Sequence, residues 1–346
     1  MTFVTNIKRR FIFFANRMKI LPLLITSSSK NQSLSKDFII FDTALHSGNL
    51  GDEIIMHYCN SILNQLDIHE KKHIPTHQPP QATDLPFLKE NTMKIVAGTN
   101  IVSDRENRDY IWHKPAVRYL KNLCLMGVGL NDYSTEFSFY SRLFYRKLLA
   151  PSMLHSVRDS FTEKTLHAIG IKNVINTSCP TMWNLTSDFC RDIPRKKADS
   201  VVTTLTDYNK SKEFDFFLLD TLIKEYRNVF IWIQGDKDFS YLESYQNFST
   251  LKIISHSLKA YDDFLRSTDC DYVGTRLHAG IHALNNKKRS IIIAVDDRAV
   301  KIANDTNLPV IRREEIKTKL TSFIERDFAT EIRIPIDSIK KWKAQF

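Results

Sequence analysis

The sequence predicts an α/β protein built as two Rossmann-like parallel-sheet lobes facing a cleft. Short β-rich apolar runs alternate with amphipathic stretches, which is the pattern of βαβ units. The 346 residues exceed one ordinary core at ~150 residues per domain, so two domains are expected. A charged, Pro-containing stretch without periodicity, Arg191 to Asp199, divides the series of runs in two.

Ser27 to Lys36 (SSSKNQSLSK) is polar and serine-rich, so the ordered fold is expected to begin at Asp37. The first series of strand candidates is 38–44, 94–97, 123–128, 154–157 and 174–176. The second is 201–205, 229–233, 252–254, 272–273, 290–295 and 310–311. The expected organisation is a basic N-terminal tail over 1–36, an N-terminal lobe over 37–192, a C-terminal lobe over 193–311, and a C-terminal helix with a basic tail over 312–346.

The formal charge of +10 first suggests an anionic partner. Residues 1–24 carry 5 basic side chains and 338–346 carry 3, with no acid in either, so the body between them is nearly neutral. A nucleic-acid-binding body, which needs a basic face on the folded domain, is therefore not expected. The basic ends fit a segment resting on anionic lipid, and a solvated tail is the plainer alternative. No apolar run approaches the ~18 to 20 residues of a membrane span, and no continuous signal-peptide core follows Lys8 to Arg10. Five scattered cysteines without a C-x-x-C pair indicate a reducing cytoplasm, with neither disulfide framework nor zinc site. His69, His73 and His77 are spaced by four, but Pro75 interrupts any helix that would align them, so no metal site is expected.

Glycine is scarce, nine where average usage near ~7% would give over twenty, so each needs a reason. Gly98, Gly127, Gly235 and Gly274 stand at or just beyond predicted strand ends, and Gly48 and Gly51 follow the first strand. Gly170 reads as a helix C-cap.

Three stretches could carry chemistry. Gly48-Asn49-Leu50-Gly51-Asp52 is a glycine-flanked turn opening an amphipathic helix, suited to an anion or a hydroxyl; the plainer reading is a structural turn with Asp52 as N-cap. In Val157-Arg158-Asp159-Ser160, a capping box of Ser160 with Glu163 would free Arg158 to fork onto a phosphate or carboxylate; a surface Arg–Asp pair is the alternative. In Gly274-Thr275-Arg276-Leu277-His278, Thr275 is the expected N-cap, while Arg276, His278 and free helix N–H groups converge at a strand–helix junction. Tyr208 to Lys212 and Lys287 to Arg289 read as solvated charge.

Taken with Ser178-Cys179-Pro180-Thr181, the order and spacing of these elements over residues ~37 to ~311 resemble the polysaccharide pyruvyl transferase family. Many members have Asp-Pro where this chain has Cys179-Pro180, and a glycine-rich run where it has Gly98-Thr99-Asn100. The resemblance implies a GT-B-like fold and transfer of pyruvate from phosphoenolpyruvate onto a sugar hydroxyl pair as a ketal, with no further cofactor. It assigns His278 as general acid and Arg276 with Arg158 as an anion clamp. Gly274, Thr275 and Leu277 line the donor side; Asn49, Gly51 and Asp52, the last a candidate base, line the acceptor side on the N-terminal lobe. A cytoplasmic enzyme, peripheral on the inner membrane face and acting on a free or lipid-linked sugar acceptor, is expected. The alternatives are a GT-B glycosyltransferase using a nucleotide sugar and a non-catalytic, membrane-associated glycan assembly protein.

Overall fold

Twelve strands form among the described residues of the computed structural model, and all of them pair in parallel. Described are Pro22 and residues 36–78, 80–89, 92–104, 120–133 and 136–346. The expected basic tail of residues 1–36 thus lies outside the described residues, Pro22 and Lys36 apart. The chain divides into two units. Unit 1 comprises Met1–His46, Asn60–Thr177 and Asp337–Phe346, and unit 2 comprises Ser47–Cys59 and Ser178–Ile336.

Unit 1 contains β1 (Asp37–Asp42), β2 (His69–Pro75), β3 (Met93–Ala97), β4 (Leu123–Met126), β5 (His155–Val157) and β6 (Val174–Asn176). Its four-stranded sheet has the order β2-β1-β3-β4, and a parallel bridge from Val128 to Val157 carries the pairing on to β5 and β6. The first helix, α1 (Leu50–Leu63), begins in unit 2 and ends in unit 1; α2 (Leu85–Lys89), α3 (Phe139–Leu148) and α4 (Ser160–Ala168) follow. β2 has no counterpart among the predicted strands. Its sequence HEKKHIP is mostly polar because it is an edge strand, where only Ile74 and Pro75 are buried.

Unit 2 contains α5 (Ser187–Cys190), β7 (Ser200–Thr203), α6 (Lys212–Glu225), β8 (Asn228–Trp232), α7 (Asp238–Leu242), β9 (Lys252–Ile254), α8 (Leu258–Ser267), β10 (Asp271–Gly274), α9 (Leu277–Asn285), β11 (Ser290–Ala294), α10 (Asp297–Thr306), β12 (Val310–Arg312) and α11 (Ile316–Glu325). The sheet order β12-β11-β10-β7-β8-β9 is the doubly wound order, with its switch point between β7 and β10. Helices cover both faces, so the strands read as continuous apolar runs. Val202, Trp232, Tyr272 and Ile292 pack into one layer, and Val201, Ile231, Val273 and Ile293 into the other.

Three details differ from expectation. The unit boundary after β6 falls between Thr177 and Ser178, ahead of the charged stretch at 191–199. The segment from Ser47 joins unit 2 because Leu50 N donates to Gln234 O at 3.0 Å and Tyr58 Oη meets His282 Nδ1 at 2.9 Å. The C-terminal basic stretch is no tail. It forms α12 (Ile336–Lys343), whose Trp342 is fully buried in unit 1, while Phe346 packs edge-on against Phe38 and Gln345 hydrogen-bonds both backbone groups of Leu154.

Two histidines shape the pH response of unit 1. His73 lies between Asp42 Oδ2 (2.8 Å) and Glu70 Oε2 (3.0 Å), and the bond to Asp42 above all raises its pKa to about 9. His155 is fully buried, and burial lowers its pKa to about 4. His73 therefore contributes stability that is full below its unfolded pKa of ~6.5 and is lost as pH rises through about 9. His155 withdraws stability as pH falls from ~6.5 to about 4. In thermal melts across pH, His73→Gln is expected to flatten the alkaline limb by about 1–2 kcal/mol, allowing for partial exposure. An alkaline limb unchanged in that variant would remove His73 as its source.

Candidate functional site

The candidate site stands at the carboxyl ends of β7 and β10, the switch point of unit 2, where open α/β sheets bind ligands. Gly274 closes β10 against β7 so tightly that a Cβ there would lie 2.7 Å from Thr204 N. Thr275 is buried and donates to Thr204 O at 3.1 Å, while its hydroxyl also meets that of Thr206 at 2.8 Å. It therefore secures the turn and does not cap the helix. The N-cap of α9 is Arg276, whose side chain makes no cap bond to the first turn.

Arg276 is 4% exposed. Its Nε donates to Leu205 O at 2.9 Å, and its Nη2 donates to Asp207 at 3.0 Å and Asp238 at 2.5 Å. The Tyr208 ring lies 5.1 Å from the guanidinium carbon. Burial pushes the Asp238 carboxyl pKa up, against the pull of Arg276. Most of the charge of Arg276 is thus spent inside the protein, and Nη1 is the nitrogen left for a ligand. Gly235 makes this placement possible, because a Cβ there would sit 2.5 Å from Arg276 Nη2.

His278 is half-buried in the first turn of α9, its Nε2 3.8 Å from the buried Cys179 thiol, which also accepts from Thr181 Oγ1 at 3.1 Å. Arg298, just inside α10, donates from Nε and Nη2 to Asp296 and from Nη2 to Tyr208 Oη. Asn49 Oδ1 accepts from Gln234 Nε2 at 2.8 Å and from Gly51 N at 3.1 Å. Gly51 leaves room for that contact, since a Cβ would lie 2.8 Å from Gln234 Nε2.

The structure thus brings Asn49, Thr275, Arg276, Leu277 and His278 to one cleft in unit 2, joined by Gln234. Asn49 and Gly51, expected on the N-terminal lobe, belong to the same unit as the donor-side residues. Asp52 is half-buried, accepts from Ser47 Oγ at 2.5 Å, and is not among the residues lining this cleft. Arg158 belongs to unit 1 and is 2% exposed, with Nη2 on Leu130 O at 3.2 Å and Tyr133 Oη at 3.4 Å. The expected capping box does not form; Asp159 caps α4 by accepting from Thr162 N at 2.7 Å. Gly129 admits the Arg158 side chain, since a Cβ there would lie 2.1 Å from Arg158 Nε.

Sequence reasoning passed over Gln234, Asp207, Asp238 and Tyr208. The signal for the first was its place directly after a strand and before Gly235. Tyr208 is 57% exposed, as expected of a solvated stretch, yet its ring lies over Arg276 and its hydroxyl accepts from Arg298.

Two solved structures are similar at low identity. A UDP co-structure of S. aureus MnaA is 12% identical with a TM-score of 0.48, covering 85% of this chain and 91% of that one. A UDP-N-acetylglucosamine 2-epimerase is 10% identical with a TM-score of 0.46, covering 90% and 91%. No curated protein matches the chain. The polysaccharide pyruvyl transferase family matches residues 49–297, which include the Asn49 turn, the Arg276 to His278 junction and the α10 N-terminus. With well over half of its length matched, the chain belongs to the polysaccharide pyruvyl transferase family.

Proposed function

We propose that the protein transfers the pyruvate unit of phosphoenolpyruvate onto a sugar of a surface polysaccharide, or onto its lipid-linked precursor, as a ketal. The observation that carries this reading is the meeting of His278, the N-terminus of α9 and Arg276 at the switch point of unit 2.

The first sugar hydroxyl adds to C2 of the enol while a proton goes to the C3 methylene and the hydroxyl proton leaves to a base. The second hydroxyl then displaces phosphate and closes the ketal, so phosphoenolpyruvate and a diol yield ketal and inorganic phosphate. His278 supplies the proton to C3, a task suited to imidazole near neutral pH. The α9 N–H groups and Arg276 Nη1 hold the carboxylate or the departing phosphate. Asn49, fixed by Gln234, presents an amide to an acceptor hydroxyl. Asp52 orients Ser47.

Incubation with phosphoenolpyruvate and a panel of saccharides is expected to release phosphate in step with ketal formation. Turnover of a nucleotide sugar without phosphoenolpyruvate consumption would overturn the reading.

Among the described residues no helix is long and apolar enough to cross a membrane. The proposed contact with an anionic inner membrane face falls to the basic N-terminal segment and to exposed Lys340 and Lys341 of α12. Deleting residues 1–24 is expected to weaken liposome binding, and undiminished binding would discard that contact.

A further inference from the structure

Unit 2 holds a second cavity, of about 390 Å³, that shares no residue with the cleft. It lies between α5 with the segment after it and the strap that follows α11. Cys190, Ile193 and Ile332, all buried, form its apolar floor. Three arginines stand around it, Arg191, Arg195 and Arg333. Arg191 pairs with Asp188, but the side chains of Arg195 and Arg333 make no ion pair or hydrogen bond among the described residues.

Thr330 lines the same cavity at 5% exposure, and its hydroxyl has no partner among the described residues. A buried hydroxyl left unpaired costs free energy that a bound acceptor would recover. Glu331 is the one carboxylate in the lining, so two unspent guanidiniums leave the rim net positive. Two guanidinium forks and a hydroxyl match the several oxygens of a phosphate, and the apolar floor matches a hydrocarbon group. The volume is at the small end of ligand sites.

We propose that this cavity binds an amphipathic phosphate, with the phosphate on Arg195, Arg333 and the Thr330 hydroxyl and the hydrocarbon against Cys190, Ile193 and Ile332. The ligand is either a soluble metabolite or the headgroup end of a phosphate-bearing lipid.

Calorimetric titration of the full chain with geranyl phosphate, inorganic phosphate and geraniol tests this without reference to pyruvyl transfer. Geranyl phosphate is expected to bind, inorganic phosphate at least ~10-fold more weakly, and geraniol more weakly still. The Arg195→Ala/Arg333→Ala variant is expected to lose at least ~10-fold in affinity. Thr330→Val, which keeps the shape, is expected to lose ~5-fold, a melting curve confirming that each variant is folded. Binding of geranyl phosphate unchanged in the double variant, equal binding of geraniol, or no binding of geranyl phosphate would each overturn the proposal. Sedimentation with phosphatidylcholine vesicles containing a long-chain polyprenyl phosphate separates the sources. Retention that the double variant loses assigns a lipid, and binding only to the short-chain phosphate assigns a soluble ligand. Phosphoenolpyruvate turnover is measured beside these titrations, so the cavity and the cleft stand or fall separately.

Discussion

Replacing His278 with alanine is expected to lower phosphate release from phosphoenolpyruvate by about 10²- to 10⁴-fold, the range typical for loss of a general acid. The melting temperature should hold, because His278 is half-buried and lines the cleft. Arg276 offers no such clean test. Its removal strands Asp238, which is 2% exposed, beside Asp207, so Arg276→Ala loses stability as well as any ligand contact. His278→Gln keeps a polar side chain without a titrating nitrogen and should be as inactive as the alanine variant. Turnover within a few-fold of wild type in either would remove His278 from the reaction.

Arg289→Ala is expected to cost about 3–5 kcal/mol, the largest stability effect of any single change considered. Arg289 is 1% exposed, and its Nη1 donates to Asp271 Oδ2 at 2.6 Å. Its Nη2 donates to the carbonyls of Phe323, Ile324 and Arg326 at the end of α11, satisfying acceptors that a helix C-terminus leaves open. The alanine variant leaves the Asp271 carboxylate buried, with Tyr226 Oη at 2.8 Å as its remaining side-chain donor. Urea denaturation followed by tryptophan fluorescence reads the loss directly. The double variant Arg289→Met/Asp271→Leu should recover much of it, since a buried pair is costly chiefly when only one partner is removed. A single variant as stable as wild type would show that the pair contributes nothing.

Arg289 also shows where sequence reading runs out. In a string such as Lys287-Lys288-Arg289 the three cations look alike, yet Lys287 reaches Phe189 O and Lys288 reaches Thr268 O, while Arg289 turns inward. Only the register of β11 against β10, with Tyr272 opposite Ser290, decides which of them is buried. The eleven predicted strands all overlap observed ones, because a parallel sheet covered on both faces needs apolar runs such as SIIIA. β2 escaped because an edge strand is released from that need. The junction at Arg276 to His278 was legible from Gly274 and the helical pattern after it. The carboxylates that hold Arg276 lie 69 and 38 residues away in sequence, at separations no local pattern reveals. The surroundings of Arg158 were hidden for a related reason. Its burial depends on Gly129, and a scarce glycine signals close approach without naming what approaches.

The docking of α12 in unit 1 has a consequence for synthesis. The fully buried Trp342 and the Gln345 contacts to Leu154 are delivered only after the whole of unit 2 has been translated. During translation the first unit begun is therefore the last one finished. Unit 2, complete by Ile336 in its larger segment, can form while the apolar surface awaiting α12 is still uncovered. A chain stalled before residue 337 would expose that surface, which marks it as the point where quality control by chaperones would act on the nascent protein.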